Sequence, residues 1–549
     1  MSDHDPFSAP QSQPVPPAAS SPDSSVHGDG SQGDFNPYNE VPYAAHSVPQ
    51  MHPDHLAVEA LLRGLSPAPM SRCRVLELGC ADGSHLIPLA AQWPGSQFVG
   101  IDLAEVQVQR GLAQIRELGL TNIDLRAADL LTFEIDGEPF DYILCHGVYS
   151  WVPPRVQQRI LQICQRGLSP DGLAYICYNL LPGFYRRQPV MEMMRYHVAG
   201  MTDPSAIVQQ ARALLSFLID ASPDPDSVGT RILREEAQRI GPLPDSYVFH
   251  EHFESDNQPC YFHTFMDAAS AHGLQYVGDA VVTLGMNGLS PPAQQMFAQL
   301  GDDAVRKEQY MDFLRSSSLR SSILCPANRA LCEQPADDVL QDLLVLGAAV
   351  PASLAPLQGD ALRQPIAVRF HARLGEGQTD NPLFKALIWV LHRSRPRALS
   401  MPALCEQLSS LLQEPISLQQ ASQLALYAHR TGVCLLRRVS VPMHTQVSER
   451  PSVSLLSRKQ ARRDGVVTGP WHDPIPLDPF QQIVLPLLDG TRDIDAVLAA
   501  VLDAVASGAL VVTGPAGSPA APAELARDLR AQHLPKVLQT FAQLGLLVA

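Results

Sequence analysis

Ten cysteines occur in this chain, yet no two form a C-x-x-C pair, which excludes both a zinc knuckle and a thioredoxin-type redox motif. Cys73, Cys80, Cys145 and Cys177 lie in or beside apolar runs, where a thiol packs as a small hydrophobe, so the set is expected reduced and buried. Basic residues are scarce as well. Lys and Arg number 40 against 56 Asp and Glu, a formal charge of −16, which argues against a nucleic-acid partner gripped through phosphates and suits a neutral or basic protein. The opening residues, MSDHDPFSAP, have neither a basic start nor an apolar stretch, so no secretory signal is expected. Long apolar runs are missing too. The best of them, 343–357, is too short to span a bilayer and carries Pro351 and Pro356; no transmembrane segment is expected, and the protein is assigned to a bacterial-type cytoplasm, with a surface or secreted substrate left open. What is ordinary is the 45% hydrophobic content over 549 residues, enough core for about three domains.

Residues 73–103, CRVLELGCADGSHLIPLAAQWPGSQFVGIDL, read as strand, glycine turn, helix and second strand. Gly79 and Gly83 let the backbone turn tightly and approach a ligand where a Cβ would collide, and the first turn of the helix over 84–92 offers unpaired N–H groups. The second strand, 97–101, ends in Asp102, about 20 residues beyond Gly79, the separation at which a carboxylate grips a ribose. A dinucleotide site needs G-x-G-x-x-G, and the turn does not supply it. Glu77-Leu78-Gly79-Cys80-Ala81-Asp82-Gly83 instead resembles motif I, E/D-x-G-x-G-x-G, of class I S-adenosylmethionine (SAM) methyltransferases, with Ala81 in place of the middle glycine. The alternative is any α/β domain with a glycine after its first strand.

Further strand ends fall into register with it. A helix over 104–118 places Val108, Leu112 and Ile115 on one face; a third strand, 122–127, is followed by Asp129-Leu130; a fourth, 140–145, by His146 and then Tyr149-Ser150-Trp151. In a parallel sheet these ends share one edge, where open α/β sheets bind ligands. A helix over 154–167 and a fifth strand over 173–178 follow, and Tyr178-Asn179-Leu180-Leu181-Pro182 is set aside as an amino-methylating N-P-P-[YF] motif because it follows the fifth strand and lacks paired prolines.

Toward the N-terminus, residues 1–34 are expected to be a disordered tail, too polar to repay ordering. Phe35 to Tyr43 is either a lid, with Tyr38 or Tyr43 closing over the cofactor, or a strap packed on the core. His52 and His55, lacking a third ligand, are expected to be capping or surface residues rather than a metal site. Downstream, the expected organisation is a SAM-binding domain over 35–200, a middle region over 201–330 whose helical insertion returns to the sheet at about 260–285 with the sixth and seventh strands, a Pro-rich connector over 331–365, and a mostly helical, winged-helix-like domain over 366–549 in which 514–522 is a surface loop. Little basic charge in that last domain favours protein interaction over DNA binding. The fold class expected is α/β: a Rossmann-like, seven-stranded sheet with the helical insertion and the C-terminal domain appended.

With these residues laid out, the chain resembles a bacterial family of class I methyltransferases that carry a methyltransferase regulatory domain, some of whose members are protein-lysine methyltransferases acting on outer-membrane proteins. The resemblance rests on NPYNEVPY (36–43), VLELGCADGSHLIPLA (75–90), FVGIDL (98–103), DYILCHGVYSWVP (141–153), YNLLPGF (178–184), HEHFESDNQPCYFHTFMDAASAHGLQYVGDA (250–280) and RSSILC (320–325). It implies a SAM cofactor, no metal, and transfer to nitrogen, a lysine ε-amine. By the same resemblance Glu77, Gly79, Cys80, Ala81 and Gly83 hold the methionine end, Asp102 with Leu103 the ribose, Asp129 with Leu130 the adenine, and His146 contacts SAM through its backbone. An aromatic, partly dry channel would lower the lysine pKa and hold the methylated cation. Tyr149 and Trp151, with Tyr178 opposite, are expected to form it, the alternative for Trp151 being packing beneath the helix at 154–167. A small-molecule N- or O-methyltransferase and a non-catalytic SAM-binding module that recruits a partner remain as competing readings; oligomeric state is not legible.

Overall fold

The computed structural model describes residues 41, 45–254, 256–281, 289–301, 303–510 and 522–548. The 1–34 tail, Tyr38 and Tyr43, the end of the strand expected to reach Leu284, and nearly all of the 514–522 loop lie outside the described residues.

Seven strands build the central sheet: β1 Arg74–Leu78, β2 Gln97–Asp102, β3 Ile123–Ala127, β4 Phe140–Cys145, β5 Leu168–Asn179, β6 Leu274–Asp279 and β7 Leu319–Pro326. Their order is β3-β2-β1-β4-β5-β7-β6. All pairings are parallel except the two made by β7, which runs antiparallel to both β5 and β6. The sheet reverses direction of growth at β1, and the tips of β1 and β4, neighbours with Leu78 opposite Cys145, flank the crevice where such sheets place ligands.

Alternation along the strands decides which side chains face which layer. Val75, Tyr142, Leu144, Leu173, Tyr175 and Cys177 enter one core with the helices Pro53–Leu61 and Leu86–Gln92; Leu76, Leu78, Ile143, Cys145, Ala174, Ile176 and Tyr178 enter the other, under the helices Pro154–Gly167 and Phe262–Ala271. Burying each such Leu or Ile contributes about 1.5–3 kcal/mol, so both faces being apolar commits the sheet to a layer of helices on each side. The Pro53–Leu61 helix is capped by His52, whose Nδ1 accepts the Asp54 N–H at 3.0 Å. His55 departs from the surface position expected: it is 1% exposed and its Nε2 meets the Ala280 carbonyl at 2.6 Å.

Between β5 and β6 the helical insertion is present as expected, with Gln188–His197, Pro204–Asp220, Val228–Ile240 and Asp245–Phe253 closing on a small core of Val190, Met194, Val208, Ala211, Leu215, Ile240 and Val248. The seventh strand is not in the 260–285 return. Among the described residues of that return only β6 is a strand; β7 follows two further helices, Pro291–Gln299 and Ala304–Arg315. Nor are residues 331–365 a connector: Leu340, Leu343, Val345, Ala349, Leu357 and Leu362 are buried in one core with residues from 368–436, and Leu344–Gly347 is the middle strand of a three-stranded sheet. A separate core, Val453 to Leu547, follows. The expected 366–549 unit is therefore two units, the first of which recruits the supposed linker.

Candidate active site

The glycine turn is organised by backbone sign and by packing. Gly79 and Gly83 stand at φ 79° and 75°, and so does the non-glycine Ala81 at φ 49°, a left-handed conformation that costs an L-residue about 1–2 kcal/mol. A Cβ at Gly79 would meet Val148 Cγ2 at 2.2 Å, and one at Gly83 would meet Leu125 Cδ1 at 2.8 Å. The glycines are thus required by the protein's own side chains, and not only by close approach of a ligand. Cys80 turns its thiol into the core, 3% exposed, against the space a Gly100 side chain would fill, so only its backbone remains at the edge.

Asp102, at the tip of β2, ties the turn down. Its Oδ2 accepts the Ala81 N–H at 2.7 Å and its Oδ1 the Ala104 N–H at 2.8 Å. The Leu103 N–H is a third backbone donor to this carboxylate, which leaves room for one further donor. Glu77 lies on the same face of β1 as Val75, 5% exposed, with its Oε2 buried and without a partner. Burial first, then the charges of Asp102 and Asp82, hold its carboxyl well above the usual carboxylate range. Burial likewise raises Asp102, against the backbone N–H groups that lower it. Among the described residues no group of His, Cys, Asp and Glu is arranged to hold a metal. Three carboxylates at one strand edge, one with an unsatisfied oxygen, are complementary to an organic cation that also carries hydroxyls.

The other expected residues surround this edge. Asp129 is exposed just past β3 with Oδ1 accepting the Leu131 N–H at 2.9 Å; Leu103 is 63% exposed beside Asp102, and Leu130 is half-buried. His146, just beyond β4, places Nδ1 2.9 Å from the Tyr175 hydroxyl, and burial lowers its pKa to about 4.

The aromatic wall is corrected. Tyr178 is 1% exposed, stacked on Phe265 at 4.1 Å, with its hydroxyl 3.0 Å from Ser322 Oγ; Tyr149 is 3% exposed and packs edge-on to the same Phe265 at 5.3 Å. Both belong to the layer opposite Glu77, because Tyr178 is one residue out of phase with Tyr175 and Cys177. Trp151 alone of the three is partly exposed, in a short 3-10 turn, Tyr149–Trp151, after β4. The strand tips are joined by Asn179, set aside above with its N-P-P-[YF] likeness, and by Ser150, Asn257 and Gln258, to which the sequence alone gives no role. Ser150 Oγ accepts the Asn179 N–H at 2.8 Å, the Ser150 carbonyl accepts the Gln258 N–H at 2.7 Å, and Asn179 Nδ2 donates to Asn257 at 3.3 Å. For Ser150, Asn257 and Gln258 the signal was membership of conspicuous runs, 141–153 and 250–280.

Comparison with known proteins bears on this edge and on the units around it. Residues 75–172 match the methyltransferase domain family, 244–326 the predicted methyltransferase regulatory domain, and 449–546 the PKMT C-terminal winged helix domain. The uncharacterized protein RP789 of Rickettsia prowazekii is 30% identical over 531 residues, 95% of this chain and 96% of that one. A second uncharacterized protein of that organism, RP028, is 37% identical over 232 residues, 42% of this chain and 93% of its own. The structure of PKMT2 from Rickettsia typhi in complex with AdoHcy superposes with a TM-score of 0.82 at 27% identity, over 92% of this chain and 100% of that one. SAM, a sulfonium with an ammonium and ribose hydroxyls, is an organic cation of the kind to which this strand edge is complementary. Matched along almost its entire length, this chain belongs to the family of bacterial class I SAM-dependent methyltransferases, of the protein-lysine (PKMT) type, that join a methyltransferase regulatory domain to a C-terminal winged helix.

Proposed function

We propose that the chain methylates lysine ε-amines of a protein substrate, an outer-membrane protein being the substrate class, from within the cytoplasm. The observation that carries the reading is the whole-length likeness to PKMT2, winged helix included, since a small-molecule enzyme has no use for so large an addition to the sheet. In this reading Glu77 faces the ammonium of the cofactor's methionine end, while Gly79, Cys80, Ala81 and Gly83 present backbone groups beside it. Asp102 accepts from the ribose hydroxyls next to Leu103, Asp129 takes the adenine amino group next to Leu130, and His146 contributes its backbone.

SAM, when bound, supplies a methyl group already activated on a sulfonium, so the chain's residues are left to align and to keep the nucleophile uncharged. In water a lysine of pKa near 10.4 is free amine about once in a thousand molecules at neutral pH, an obstacle of roughly 4 kcal/mol. A partly dry aromatic surface disfavours the ammonium, and in this reading Trp151, partly exposed in the turn after β4, takes that task. The test is incubation of the full chain with isotopically labelled SAM and cell-envelope protein, followed by digestion and mass spectrometry. Methyl-lysine in envelope proteins is expected. Label appearing only in small molecules, or SAM binding with no transfer to any fraction, would overturn the reading.

A further inference from the structure

Three histidines from distant parts of the chain meet behind the glycine turn. His85, two residues past Gly83, is 3% exposed; His472, 1% exposed, lies in the turn 469–473; His52 precedes the Pro53–Leu61 helix. His472 Nε2 is 2.9 Å from His85 Nδ1, with the rings edge-on at 4.4 Å, and His52 stands edge-on to His472 at 5.4 Å.

The hydrogen bonds assign the tautomer. His85 Nδ1 accepts the Val48 N–H at 3.3 Å, so it carries no proton; His472 Nε2 must then donate to it, and the His85 proton is on Nε2. That Nε2–H is buried without a partner, and so is the hydroxyl of Ser47, the residue next to Val48. A buried donor is normally satisfied, and the Val48–His85 hydrogen bond brings the segments that carry these two orphans together. His472 itself sits at φ 70°, a left-handed conformation uncommon outside glycine and asparagine, which is retained where surrounding contacts over-determine it. Burial, then the neighbouring His472, His52 and His146, keep His85 from charging, so it offers a neutral N–H.

The missing acceptor follows from the cofactor's own chemistry. Its methionine end is a zwitterion. Glu77, Asp82 and Asp102 on the strand side welcome the ammonium and repel the carboxylate, which needs donors elsewhere. His85 itself stands at the N-cap of the Leu86–Gln92 helix directly after the glycine turn, which puts its ring beside the turn that takes the methionine end. We infer that His85 Nε2–H, joined by the Ser47 hydroxyl, binds the carboxylate of the cofactor's methionine end, and that His472, reaching in from the C-terminal part of the chain, is the positioning residue that orients His85. The inference rests on the SAM reading of the site, and it makes the turn between Val466–Thr468 and Pro474–Pro476, inside the winged-helix match, part of cofactor recognition.

Titration calorimetry on the full-length chain tests it, with S-adenosylhomocysteine and its decarboxylated analogue as probes. Wild type should prefer the carboxylate-bearing ligand by about ten- to a hundredfold, the range for hydrogen bonds to a charged group. His85→Ala, and His85→Phe as a volume-filling second variant, should abolish that preference while leaving the affinity for the decarboxylated ligand within about twofold. His472→Ala should reduce the preference in part, and His472→Gln, whose amide N–H can donate to Nδ1, should restore it. Equal weakening of both ligands in either His85 variant, or an undiminished preference, overturns the assignment. Wild type that binds neither ligand refutes the cofactor reading instead, a distinct outcome.

Discussion

Replacing Glu77 by Gln separates cofactor electrostatics from fold. The side chain is buried on β1, opposite Gly100 of β2 and Leu144 of β4, with one carboxylate oxygen unpartnered and its ionised form disfavoured by burial and by Asp102 and Asp82. In the free protein its proton is therefore held more tightly than an ordinary carboxyl's, and an ammonium placed against it favours loss of that proton. At about 4 Å and an effective dielectric near 20, such a pair attracts by roughly 4 kcal/mol. An amide recovers part of this through its own carbonyl, which leaves an expected loss of about 2–3 kcal/mol, roughly 30- to 150-fold in affinity. Two signatures accompany the loss. Wild-type affinity for S-adenosylhomocysteine should rise about tenfold per pH unit, as bound protons cease to compete, until the raised pKa of free Glu77 is passed; the variant should show no such slope. Calorimetry in buffers of different ionisation enthalpy should detect close to one proton released by wild type and none by the variant. Since Gln removes a carboxyl that folding desolvates, the ligand-free variant should melt no lower than wild type. Equal affinities with parallel pH profiles would refute the reasoning.

Ala81→Gly should relieve the left-handed strain at φ 49° and raise stability by up to about 1 kcal/mol in thermal or urea melts, with cofactor affinity kept. His472 titrates at about 3 when folded, depressed by burial and by Arg437, so its contribution is present above its unfolded pKa of about 6.5 and is lost as pH falls. Between pH 7.5 and 5.5 wild type should lose about 1.4 kcal/mol through this ring that His472→Asn does not lose, Asn being tolerant of the same backbone; parallel pH profiles of the melts would contradict it. Trp151→Ala should lower kcat more than cofactor affinity, whereas Tyr178→Phe should leave turnover intact and cost about 1 kcal/mol in the melt through the lost Ser322 hydrogen bond.

The fate of the aromatic residues shows where sequence reasoning stops. Gly79, Asp102 and His146 were readable as strand ends because each closes an apolar run, and Asp129 because it follows the alternating run 122–127; a parallel sheet brings such ends to one edge whatever its register. Which face a side chain takes depends on phase, and one residue along β5 separates Tyr178, packed on Phe265, from Cys177, on the side of Glu77. Nothing local in Tyr178-Asn179 encodes that phase. β7 escaped notice for a related cause: it is antiparallel to both neighbours and enters only after two helices, and its RSSILC run is too polar at its start to announce a buried strand.

Composition and local pattern by themselves determined the α/β class, the helical insertion, the glycine turn and the carboxylate at the end of the second strand, all of which follow from spacings within a few tens of residues. Tertiary structure alone decided that residues 331–365 belong to a core, since apolar residues interrupted by prolines become a strand only when Leu344–Gly347 finds partners at 399–400 and 434–437. It alone brought His472 to His85, 387 positions apart, because a hydrogen bond between rings depends on distance in space and leaves no periodic trace along the chain.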